Sequence, residues 1–184
     1  MKRGMWWRLG VFAVIVAFAS AAAAASSFTL ETSAFLNGGA MPKTDAANAG
    51  SCGGRNLSPP LHFSDFPGTV RSFAVVAFDP DAGGGRGFVH WVAYGISPAT
   101  TALPPGFGSQ ASLAFTGGTN GAGTTIYFGP CPPRGDPPHH YVFTAYALDL
   151  APERLRPGLT RPAFLRAIAA HTLAQAQITG RFSR

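Results

Sequence analysis

A single, mainly β domain with a C-terminal helix is the fold class this sequence predicts. Three observations point there. Gly (23) and Pro (16) are abundant while charged residues make up only 12%, a mix suited to short strands and irregular loops rather than to a helical bundle. Three apolar runs of strand length stand in the middle of the chain, and helical periodicity emerges only near its end. At 184 residues, the chain suits one domain with a core of its own.

The elements follow in order. Residues 1–25 read as a secretory signal peptide: Lys2, Arg3 and Arg8 precede the apolar VFAVIVAFAS, and an alanine tract offers cleavage near Ala25. An uncleaved membrane anchor is the alternative. The domain then occupies 26–184, periplasmic or secreted, with no stable membrane insertion after cleavage. Without the leader the formal charge falls from +6 to +3. Arg154, Arg156, Arg161, Arg166, Arg181 and Arg184 cluster near the end, but a nucleic-acid protein would show a denser stripe with interleaved aromatics, so no nucleic acid is expected.

FTLETSAF (28–35) alternates and reads as a first strand, and residues 38–60 hold too many Gly, Asn and Pro for regular structure. RSFAVVAF (71–78), FVHWVAYGI (88–96) and YVFTAYALD (141–149) read as strands buried on both faces. Residues 97–126 are loop-rich. TRPAFLRAIAAHTLAQAQI (160–178) reads as a helix, with Thr160 as N-cap, Pro162 in the first turn, and Phe164, Leu165, Ile168 and Leu173 as its apolar stripe.

Cys52 and Cys131 are the two cysteines, each in a Gly/Pro-rich loop. In an oxidising compartment a lone pair most simply forms one disulfide; two free thiols are the alternative. The stretch GPCPPRGDPPHHYVF (129–143) is stiffened by four prolines and delivers His139 and His140 to the head of a strand. Asp79 and Asp81 sit where strand 71–78 ends, and His90 lies inside an otherwise apolar strand. Polar groups in such places need partners or a ligand, and these could converge on one rim.

DPDA (79–82), HWVAYGI (90–96) and YFGPCPPRGDPPHHYVFTAYALD (127–149), with GSCGGRNLSPPLHFSDFPGTVRSFAVVAFDPDA (50–82) upstream, resemble the phosphatidylethanolamine-binding protein family. The likeness is strongest to its bacterial Raf-kinase-inhibitor-like (YbhB/YbcL) branch. The resemblance implies two stacked antiparallel sheets with Greek-key connections and a small anion-binding pocket at one end. It assigns the pocket to Asp79, His90, His139 and Tyr141, with the GPCPP loop as a wall, Tyr127 nearby, and backbone N–H groups near Gly129 and Cys131. Gly83 replaces the family's usual proline, and His140 its usual arginine.

The function expected is binding of a small phosphorylated or carboxylated ligand, a lipid headgroup such as phosphoethanolamine included, with regulation or inhibition of a protein partner beside it. No cofactor is called for. An enzyme using the His/Asp pocket for acid–base chemistry is the alternative, although no G-x-S-x-G elbow is present. A metal site from Asp79, His90, His139 and His140 is disfavoured, because alternation sends adjacent strand histidines to opposite faces.

Overall fold

The computed structural model describes residues 28–184; the expected leader and its expected cleavage site lie outside the described residues. Among the described residues, eight strands form two antiparallel sheets. β1 (Thr29–Glu31), β2 (Leu61–Ser64) and β5 (Ala102–Leu103) make the small one, in the order β1-β2-β5. β3 (Ser72–Asp79), β4 (Phe88–Ile96), β6 (Thr116–Gly117), β7 (His139–Leu148) and β8 (Thr172–Phe182) make the large one, in the order β6-β4-β3-β7-β8. The β3–β4 hairpin continues to β6, and β7 returns by a long connection to lie beside β3, which is Greek-key topology.

The long apolar runs become the three central strands because each is buried on both faces. Phe73, Val75 and Ala77 of β3 pack toward the small sheet with Trp91, Ala93, Tyr141, Phe143 and Ala145. Ala74 and Val76 face the other way, onto Val92, Tyr94, Phe164 and Ile168 beneath the helix Arg161–Ile168. Period-2 alternation thus feeds two cores from one strand. Core packing runs out toward one end of the large sheet, and there the inward-facing row continues as Asp79, His139 and Tyr141.

Three expectations are revised. The first strand spans only Thr29–Glu31 rather than 28–35, and LHFS, within no expected strand, forms β2. The helix ends at Ile168, and residues expected to continue it form β8, paired along its length with β7. Ala174, Ala176 and Ile178 turn inward while Leu173, Gln175 and Gln177 stay exposed. LAQAQI therefore has a period of two, which alanine's helix propensity masks, and Leu173 belongs to no helix stripe. Thr160 does occupy the N-cap, with Pro162 in the first turn, but its hydroxyl makes no capping bond.

Candidate functional site

Asp79 ends β3, His139 and Tyr141 begin β7, and β3 pairs with β7, so strand order alone brings them together. His90 arrives differently. Ala77 pairs with Trp91 and Phe78 with Val89, so His90 is the extra residue of a β-bulge. Strict alternation from Trp91 would send its ring to the helix side; the bulge turns it toward Tyr141 instead, with ring centroids 5.0 Å apart.

Asp79 organises the cluster. Its Oδ1 accepts from the backbone N–H of Asp81 (2.8 Å) and of Ala82 (3.1 Å), closing the turn after β3. Its Oδ2 accepts from Nδ1–H of His139 at 2.8 Å and lies 4.0 Å from Nε2 of His90. Burial, the charge of Asp79 and a hydrogen bond to it together push the Tyr141 hydroxyl far up, so it remains a phenol.

The two histidines are held in different states. Nδ1 of His90 lies 2.6 Å from the Phe128 carbonyl, which can only accept, so the proton sits on Nδ1 and Nε2 is bare. Burial, outweighing that hydrogen bond and Asp79, lowers the His90 pKa to about 4, so the ring is neutral at pH 7. For His139 burial also opposes charge, but the hydrogen bond and charge of Asp79, joined by Asp136 and Asp81, outweigh it and raise the pKa above 6.5. Its Nε2 points past Asp136, whose Oδ2 is 3.5 Å away.

These groups face a cavity of about 370 Å³, lined by Asp79, His90, Cys131, His139 and Tyr141 together with Phe88, Phe128, Pro132, Pro133, Asp136 and the turn 81–84. The volume suits a headgroup-sized ligand. Asp81, noted in the sequence beside Asp79, does reach the lining, whereas Phe88, Phe128 and Asp136 are lining residues the sequence did not single out; for Asp136 the signal was its place three residues before His139. His140 points elsewhere: its half-exposed ring and its backbone N–H both donate to Asp81, at 2.8 and 2.7 Å, and those bonds hold the Asp81 carboxyl below its usual range. A larger open groove of about 870 Å³ over β1, β2 and β5 has Glu31 and His62 as its charged or titratable lining residues. The chemistry is concentrated in the smaller cavity.

Tyr127 and Gly129 were expected at the cavity but stand behind its wall. Tyr127 is fully buried, its hydroxyl donating to the Asp45 carbonyl at 3.1 Å. The Gly129 N–H, expected free for a ligand, donates to Asn56 Oδ1 at 2.8 Å. The wall is fastened by the Cys52–Cys131 disulfide, with Cα atoms 5.3 Å apart, and by the Ala47 N–H donating to the Pro130 carbonyl.

Behind the wall, Asp45 is only 4% exposed and its Oδ2 has no hydrogen-bond partner among the described residues. Burial raises its pKa to about 6 against a bond from Thr44. A raised carboxyl pKa stabilises the fold below the unfolded value of 3.8, and that stability is lost as pH climbs through about 6. Asp45→Asn keeps the shape without the charge. It should therefore raise stability at pH 7 by on the order of 1–2 kcal/mol and make little difference at pH 3.5. Urea denaturation at both pH values checks this.

Comparison with known proteins finds relatives of the domain as a whole. Residues 31–183 match the phosphatidylethanolamine-binding protein family. A UPF0098 protein of Methanothermobacter thermautotrophicus is 36% identical over 157 residues, covering 84% of this chain and 98% of its own. LppC of Mycobacterium tuberculosis, which bears a lipoprotein name, is 38% identical over 161 residues, covering 88% and 75% respectively. The crystal structure of Escherichia coli YbcL, described as a member of the mammalian PEBP family, aligns with a TM-score of 0.78 at 30% identity, covering 85% of this chain and 98% of that one. A Greek-key sandwich with an Asp/His/Tyr cavity at one end, matched along nearly its whole described length, places this chain in the phosphatidylethanolamine-binding protein family.

Proposed function

We propose that the cavity binds a small ligand through a phosphate or carboxylate group, as an exported binding protein able to regulate a protein partner. The observation that carries this reading is the pairing of a donor and an acceptor on one cavity. His139, oriented by Asp79 and with a pKa raised by it, offers its Nε2–H, while neutral His90 offers a bare Nε2. A singly protonated phosphate monoester answers both, and the ammonium of phosphoethanolamine complements Asp136 or Asp81. Binding is favoured over catalysis by the lining, which includes no Ser, Thr or Lys and whose one cysteine is bridged. The disulfide and the lipoprotein name of one relative support a location outside the cytoplasm.

The two adjacent histidines supply the test. His139→Ala should weaken binding of inorganic phosphate or phosphoethanolamine by about 1.5–3 kcal/mol, the worth of one charge-assisted hydrogen bond. His140→Ala should leave affinity for inorganic phosphate nearly unchanged, because that ring does not line the cavity and reaches it only through Asp81. Titration calorimetry of both variants separates the cases, and equal losses would refute the site.

A further inference from the structure

Asn56 lies in the irregular segment before β2, away from the cavity lining, yet it is tied in at four points. Its N–H donates to the Ala46 carbonyl at 2.8 Å, and its carbonyl accepts from Ser109 Oγ at 2.7 Å. Its side-chain Nδ2 donates to the Tyr127 carbonyl at 2.9 Å, and its Oδ1 accepts from the Gly129 N–H at 2.8 Å. The amide thus grips the peptide groups on either side of Phe128. Phe128 in turn is locked to His90: its N–H donates to the His90 carbonyl at 2.9 Å, and its carbonyl receives Nδ1–H of the His90 ring.

The residue type fits the task. Asn56 has φ 54°, a left-handed conformation that asparagine tolerates better than most side chains. One amide supplies both the donor and the acceptor the two peptide groups need. Aspartate has no donor at this length, and the reversed amide would set its NH₂ against the Gly129 N–H.

We infer that Asn56 is a positioning residue that holds the Phe128 carbonyl against Nδ1 of His90, fixes that tautomer, and so keeps Nε2 as a proton acceptor facing the ligand. Bare Nε2 of His90 and Oδ2 of Asp79 are two acceptors 4.0 Å apart, a gap that an O–H or N–H donor on the ligand fills. The cavity thereby selects ligands carrying a proton, such as a singly protonated phosphate, over fully ionised ones. The tautomer assignment stands on geometry alone; the selection rests on the anion-binding reading above.

Asn56→Gly tests this, because glycine adopts the left-handed backbone freely while removing both side-chain bonds. Imidazole ¹⁵N NMR of the ligand-free, disulfide-bonded protein at pH 7 reads the tautomer directly. The expected result is Nδ1–H at His90 in the parent and a mixture with Nε2–H in the variant, with phosphate affinity lowered about tenfold. An unchanged His90 tautomer in a variant with a native melting curve would overturn the inference, even if affinity fell. Should Asn56→Gly not fold, Asn56→Asp retains the Gly129 bond and loses only the donor to Tyr127; it should shift the tautomer partway, and no shift is again fatal. A tautomer that moves in a protein whose parent binds no phosphate would sink the binding reading and leave the positioning role standing.

Discussion

Asp79→Asn should cost about 3 kcal/mol of stability and lower the pH at which the cavity loses its hold on an anion. The stability loss follows from removing the buried carboxylate to which His139 Nδ1–H and the Asp81 and Ala82 N–H groups all donate. Asparagine can still accept the Asp81 and Ala82 N–H groups through one oxygen. Its NH₂, however, then faces Nδ1–H of His139, a donor against a donor. Without Asp79 the upward pull on His139 is left to Asp136 and Asp81, so its pKa falls from the parent's raised value. In the parent the raised His139 pKa means that its stabilising charge, and with it the anion affinity proposed above, should be fully present below 6.5 and lost as pH rises through the raised value. In Asp79→Asn that loss should come at lower pH than in the parent. Phosphate titrations from pH 5 to 9 on both proteins read the shift, and superimposable profiles would remove Asp79 from the site.

Gly129→Ala should be comparably damaging for a steric reason. A Cβ at this position would meet the Asp45 carbonyl oxygen and would come within 2.6 Å of Ala46 C and Ala47 N, all backbone atoms. Neither side can withdraw, since the disulfide and the Ala47–Pro130 hydrogen bond hold the wall to segment 45–52. The expected loss is about 3 kcal/mol, at the upper end for overpacking, with displacement of Phe128 and the tautomer change at His90 as its local sign. Gly135→Ala gives the comparison: nothing lies within 4 Å of its Cβ, so only the milder strain of its positive φ is felt. Denaturation midpoints of the two variants should differ widely, and similar midpoints would show the wall to be pliant.

Sequence reading reached the parts of the molecule that periodicity or chemistry marks. The central strands β3, β4 and β7 were legible because runs of Val, Ala, Phe and Tyr bounded by Gly and Pro have few other uses. Asp79, His90 and His139 stood out as polar groups in apolar surroundings. The end of the helix was not legible, because alanines serve equally in an amphipathic helix and in a strand whose inner face needs small residues. Asn56 was hidden within SCGGRNLSPP, where asparagine looks like ordinary turn material; its role depends on partners more than seventy residues away in sequence. The bulge at His90 was likewise invisible, being a property of the pairing with β3 rather than of β4 alone.

The crosslink has a kinetic consequence. Asp79 and His139 are 60 residues apart, and Cys52 and Cys131 are 79 apart. The two loops overlap, so closing one shortens the search that closes the other. In an oxidised chain the path between the end of β3 and the start of β7 is shortened through the bridge, whereas a reduced chain must close the full loop unaided. The cavity, built from β3, β4 and β7 together, does not exist until the pairing is complete. On the binding reading proposed above, an anion would therefore slow unfolding and leave folding unaltered, while the bridge speeds folding.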